Sequence, residues 1–437
     1  LIFKKRNYIN FCFIVSIITV ILFFAFSIIH SSNLNQNFNA EQLTESQLSL
    51  SQNEQKAFSN KMQNIEEDEI KESEDDLENE LKENIDEQLS NLDLADLEIF
   101  LSNLSEEQKE IFGALGILEK LQAIISGEFG DDTSSVFEAL IKITFDEILK
   151  LLPLMASIIA IAILAGLLSD FRGNSQSVGD IIHFVCYGVI ITIIAGATLQ
   201  MIALTTNTLN LIVTQMEIVF PILLTLLTAM GGTVSVAIYQ PAVVLLTAVV
   251  AQIFTHILMP IFIFSLVFSI VSNLSNSVKL DKLSGFLNSM FKWIIGIVFT
   301  IFMGFLAIKG ITAGSIDSIS FKTARYSLST YIPILGGYLS EGLNVILASC
   351  LLIKNAVGAS GLLLLFASII IPLFQLILFM LCLKFTGAIL QPLSDNRISN
   401  FISSISKSFL MPIVMIIGVA FMYVIFVGII MCTSVSF

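Results

Sequence analysis

Long apolar runs separated by short polar interruptions begin near residue 151 and continue to the C-terminus. They lie at about 151–169, 181–203, 209–230, 241–271, 293–312, 333–353, 360–383 and 409–432. Each is long enough for a helix to cross a ~30 Å hydrocarbon core, which predicts an all-α, polytopic membrane domain over 151–437 with about eight transmembrane helices. The fourth run is too long for one straight crossing at a rise of ~1.5 Å per residue. Pro260 inside it offers a kink, so it predicts either one tilted, broken crossing or a re-entrant hairpin. With one crossing, seven Lys/Arg lie on the cytoplasmic side against four outside; with a hairpin the split is five to six. Positive charge collects on the cytoplasmic side of membrane proteins, which favours one crossing, eight spans and an external C-terminus.

Upstream, the pattern changes. Three cations in "LIFKKRNYIN" precede an apolar run at 11–29, so 1–30 reads as a signal peptide or an N-terminal anchor. Residues 31–60 are rich in Asn, Gln and Ser and predict disorder. Leu77, Leu81, Ile85, Leu89 and Leu92 then recur at helical spacing on a very acidic segment, giving one narrow apolar stripe. Together 31–110 predict an acidic, partly disordered and partly helical extracytoplasmic arm. Amphipathic helices follow at 106–126 and 133–150, and 111–150 is expected at the interface. The second of these helices is placed flat on the bilayer, leading into the first span.

Composition sharpens this picture. The chain is 55% hydrophobic and only 13% charged, well below the charged share of a soluble domain. The net charge of −14 has one origin. Residues 41–110 hold 22 Asp/Glu and 5 Lys, or −17, while the remainder holds 14 acidic and 17 basic residues, or +3. The acidity therefore belongs to the arm, and no nucleic-acid partner is expected. Five cysteines lie in apolar runs without CxxC spacing and read as small hydrophobes. His183 and His256 have no second ligand at metal spacing. The chain has no phosphate loop, HExxH or GxSxG, so neither enzymatic activity nor a cofactor is expected.

The polar residues inside apolar runs are the candidates for function. Lys354 and Asn355 interrupt "ASCLLIKNAVGASGLLLLF". The small residues of 354–361 favour a turn between two spans, with the Lys354 ammonium snorkelling to the headgroups, over a buried ion-pathway lysine. Glu341 and Asn344 lie within the preceding run; their face meets protein or water, or Glu341 sits shallow enough to reach the interface. Glu217, in "TQMEIVFPILL", reads as a pathway residue or as a group satisfied by a neighbouring helix. Pro221, Pro260 and Pro372 are interior to their runs and should bend them, leaving backbone groups that neighbours or water must satisfy.

Three ordered blocks carry a resemblance: "GGTVSVAIYQPAVVLL", "FKTARYSLSTYIPILGGYLSEGLNVILASCLLIKNAVG" and "ILQPLSDNRISNFISSISKSFL". Over about 130–432 the chain resembles the stage III sporulation protein AE family of endospore-forming bacteria. The resemblance implies a multi-pass protein of the mother-cell membrane that engulfs the forespore. Its implied partners are the other products of the stage III A operon, including an ATPase and ring-forming bitopic proteins, and a forespore membrane partner. Together these would form a secretion-like channel complex, in which this member is a permease-like or export-gate-like part, supporting late forespore gene expression. Gly231, Gly232, Pro241, Lys354, Asn355, Gln391 and Pro392 are the matching motif positions, without assigned chemistry. Glu217 and the long acidic arm depart from the family pattern. A stand-alone secondary transporter of small solutes and a non-conducting assembly scaffold are the competing expectations, and a homo-oligomer is compatible with each.

Overall fold

The structure, a computed structural model, describes residues 79–113, 116–126, 133–170, 176–274, 280–310, 336–392 and 396–433. The signal-like start, the first part of the predicted arm and the motif stretch before residue 336 lie outside the described residues. So do the side chains of Glu341 and His183. Among the described residues, a helical stretch at 79–91 comes first. It is followed by α1 (Ala95–Ser102), α2 (Glu106–Phe112), α3 (Ile117–Ser126), α4 (Thr133–Asp170), α5 (Gln176–Ala229) and α6 (Thr233–Val249). A π-helical segment, Val250–Leu258, then leads into α7 (Met259–Leu274), α8 (Asp281–Gly310), α9 (Gly336–Leu390), α10 (Asn396–Ser408) and α11 (Leu410–Cys432).

Among the described residues, six helical rods are long and apolar enough to cross a membrane: Ile141–Leu167, Phe184–Ala229, Thr233–Ser272, Lys282–Leu306, Gly342–Leu390 and Ile398–Cys432. The expected number was eight, and the difference has a simple origin. The runs at 181–203 and 209–230 are one helix, α5, of 54 residues. The runs at 333–353 and 360–383 join in α9, of 55 residues. Each of these rods is ~80 Å long, more than twice a ~30 Å core. The segment 133–150 likewise continues without a break into 151–169 as α4, with Pro153 inside it.

The long fourth run resolves as one continuous passage. Helix α6, the π-helical segment and α7 follow one another from Thr233 to Leu274. Pro260 stands at the second position of α7, where its missing N–H falls at the junction with the π segment. The hairpin alternative is not realised.

Gly231 and Gly232 turn α5 back into α6. Gly231 has φ +84°, the left-handed region that favours glycine. The Gly232 N–H bonds to Leu227 O at 2.9 Å and the Gly231 N–H to Thr228 O at 2.9 Å, the paired bonds that close a helix C-terminus. A Cβ on Gly232 would lie 2.9 Å from that same Leu227 oxygen.

Helix α11 is the axis of the bundle and is buried along most of its length. Phe220 packs on Tyr423 and Phe426, at 5.3 and 5.0 Å between ring centroids. Phe409 meets Phe379 at 4.8 Å and Phe262 at 5.8 Å. Amphipathic α10 seats Ile398, Phe401, Ile402 and Ile405 inward, one face at helical spacing. Lipid tails are as apolar as these side chains, so close packing and helix-to-helix hydrogen bonds must hold such a bundle together.

Candidate functional site

Three clusters of buried polar groups lie along α9. The first is at Lys354, which is 0% exposed. It lies in the middle of α9, not in a turn, so the interfacial snorkelling expected from the sequence is corrected. Its Nζ donates to the carbonyl of Thr433, the C-terminal cap of α11. The Thr433 hydroxyl donates to Ile429 O at 2.8 Å and accepts from the buried Tyr239 hydroxyl at 2.9 Å. The last carbonyls of a helix lack intrahelical partners and carry the negative end of its dipole, so an ammonium there is doubly favoured. The small residues that suggested a turn instead let α11 approach. A Cβ on Gly358 would come within 2.6 Å of Met431. Asn344 and Asn355 of α9 lie before and after Lys354 in sequence, and the Oδ1 atoms of both are buried without a hydrogen-bond partner.

The second cluster is deeper. Gln215 of α5 donates from Nε2 to Gly361 O at 2.7 Å and to the Tyr423 hydroxyl at 3.2 Å. Gln215, Gly361 and Tyr423 are all buried, so one amide ties α5, α9 and α11 together. The approach is close at Gly361: a Cβ there would lie 3.0 Å from Val219 and 3.1 Å from the Tyr423 hydroxyl, tighter than an ordinary contact.

The third cluster is a seam between the N-terminal helices and the bundle. Ser105 and Gln108 form a capping box at the start of α2, with Gln108 N to Ser105 Oγ at 3.2 Å and Ser105 N to Gln108 Oε1 at 3.0 Å. That leaves the Gln108 amide nitrogen free, and it donates to Ser368 O of α9 at 2.9 Å. The acceptor is no accident. Proline at 372 cannot supply the N–H that the carbonyl four residues earlier would take, so the Ser368 oxygen is open. Nearby, Glu147 of α4 is buried and accepts from Lys150 and Gln375, each at 3.3 Å. These groups border a cavity of about 300 Å³ lined by Ser105, Glu107, Gln108, Asp146, Glu147 and Lys150 among others. The backbone amide of Glu107 and the Ser105 hydroxyl hold its carboxyl below the usual range. At the far end of the seam, Cys350 Sγ lies 3.1 Å from Gln88 Oε1.

The remaining sequence candidates separate from these clusters. Glu217 is exposed on α5, and its carboxylate makes no hydrogen bond or ion pair with any described residue. His256 is exposed, its Nδ1 2.8 Å from Ala251 O within the π segment. Gln391 and Pro392 mark the end of α9, where a proline stops a helix. Pro241 lies inside α6. Among the described residues no cluster of His, Cys, Asp and Glu could hold a metal ion. Sequence reasoning missed Gln215, Tyr423, Tyr239, Thr433 and Gln108. Only Gln108 had a signal, because Pro372 announces a free carbonyl.

A family model described as Stage III sporulation protein AE matches residues 117–434. The chain is also similar to the Stage III sporulation protein AE of Bacillus subtilis (strain 168), at 26% identity over 290 residues, 66% of this chain and 73% of that one. No solved structure matches.

Proposed function

Because this chain belongs to the stage III sporulation protein AE family, we propose that it is a non-enzymatic, multi-pass subunit of a channel-like complex. That complex would link mother cell and forespore during endospore formation. One observation carries the reading: several buried polar side chains bridge separate helices. Lys354 holds the end of α11, Gln215 ties three rods, and Gln108 and Gln375 bind the outer helices to α9. A self-sufficient secondary transporter places its substrate among broken helices near the membrane midplane. Here the two longest helices run unbroken, and the polar groups serve as fasteners. Such a build suits a rigid wall element of a larger assembly in the mother-cell membrane around the forespore.

The N-terminal helices supply a surface for that assembly. Helices α2 and α3 pack along α9, and α1 packs on α5. Their outward faces carry Asp96, Glu98 and Glu106, a place for a cationic partner domain.

The test is copurification. Affinity capture of the full chain from membranes of sporulating cells should recover the operon's ring-forming proteins and ATPase. Substitution of Asp96, Glu98 and Glu106 by lysine should reduce that recovery severalfold without loss of the chain from the membrane. Substrate-dependent or proton flux in vesicles containing this chain alone would contradict the proposal.

A further inference from the structure

The outer face of α5 changes character along its length. Its first half exposes Phe184, Val185, Val189 and Leu199, as a lipid-facing helix should. From there to its end, no large apolar side chain is exposed. The exposed positions include Asn207, Asn210, Thr214, Glu217, Pro221 and Thr225. Their spacing of three and four residues makes one straight stripe ~27 Å long. The opposite face of the same helix is buried and apolar, with Leu209, Ile212, Met216, Val219, Phe220 and Leu223.

The proline adds to the polarity of the stripe. Pro221 lacks the N–H that the Glu217 carbonyl would accept, so a backbone oxygen is left open beside the carboxylate. The threonines are less demanding, since Thr214 and Thr225 donate to Asn210 O and Pro221 O within the helix. The side chains of Asn207, Asn210 and Glu217 have no partner among the described residues.

Solvent beyond the end of the bilayer would also explain a polar face, but the other side of the bundle argues against it. Tyr423 marks one height along α11. Phe220 of α5 stacks on it, and Phe299 of α8 pairs with the nearby Phe421 at 6.1 Å between centroids. At that height α8 exposes Ile297 (52%) and Ile301 (60%). Helix α6 reaches the same height between Tyr239, which meets Phe426, and Phe254 of the π segment, which lies near Gly418; between them Val244 is 63% exposed. One flank is therefore apolar and the other polar at equal depth. Such an asymmetry distinguishes a lipid-facing side from a water-facing side.

We propose that the Asn207–Thr225 face of α5 borders a water-filled path for small cations alongside the bundle, with Glu217 as the group that draws cations to it. Lying on the outside of one chain, the face becomes a lumen only when other subunits close it, so the inference rests on the multi-subunit reading above. An unpaired carboxylate in a narrow water path raises the local cation concentration and depletes anions.

The experiment places single cysteines in the full chain, in membranes of sporulating cells, and measures modification by membrane-impermeant methanethiosulfonates above the native-cysteine background. N210C, E217C and T225C should react faster than V244C, I297C and I301C by ~10-fold or more, because thiol modification requires water access. At N210C the cationic reagent should outrun the anionic one by ~10-fold, and adding E217Q should remove that preference. Equal rates on both flanks would place the whole region in solvent and overturn the inference. A stripe as slow as Val244 and Ile301 would mean lipid or protein against it, and would overturn it too. The two readings fail separately. Partners that copurify beside an unreactive stripe leave the complex standing and remove the path. A reactive stripe without partners leaves a water-facing surface and removes the complex.

Discussion

Lys354→Glu should destabilise the bundle by about 3–5 kcal/mol, the cost of burying a charge without a partner. The ammonium of Lys354 is fully buried against the Thr433 carbonyl, at the negative end of α11. A carboxylate in its place would face the Thr433 carbonyl, an acceptor with no donor to share. Lys354→Met keeps the length and apolar stem of the side chain but leaves the carbonyl unpaired, so about 1–3 kcal/mol is expected. Thermal unfolding of the detergent-solubilised chain, followed by helical circular dichroism, should rank wild type above Met and Met above Glu. A lysine snorkelling at an interface would give near-equal values for all three.

Ala356→Pro should be as damaging. Ala356 is 1% exposed and sits inside α9. Proline there removes the hydrogen bond to the Leu352 carbonyl and drives its ring against that oxygen, at a cost of ~3 kcal/mol or more. The expected outcome is a much lower melting temperature and poor membrane accumulation. In a loop joining two spans the same substitution would be tolerated.

These predictions turn on the point where sequence and structure part. The helical class and the presence of membrane-length apolar helices were legible, because apolar run length has few alternative meanings. Cation counting favoured a single passage for the run at 241–271. The two long helices were misread for different reasons. In "KNAVGASG" the small residues serve close approach of α11, and glycine or serine signals a turn and a tight helix contact equally well. In α5 the polar "LTTNTL" reads as a break between spans. Yet Thr205, Thr206 and Thr208 each bond to a carbonyl four residues back, so the helix absorbs their polarity and continues. The Gln215–Gly361–Tyr423 cluster was not legible at all, since its partners are 62 to 208 positions apart and no local pattern links them. Glu217 was visible as a lone charge, but its side of the helix became known only from the packing of its neighbours.

The central claim is that α9 is one unbroken rod carrying the three polar fasteners. Spin labels at I346C and F385C, both exposed positions of α9, measure it directly by pulsed electron-electron resonance. A continuous helix puts the two sites ~55–60 Å apart at ~1.5 Å per residue. A hairpin turning at 354–361 would bring them to less than ~30 Å by the same rise per residue, and that distance would contradict the account.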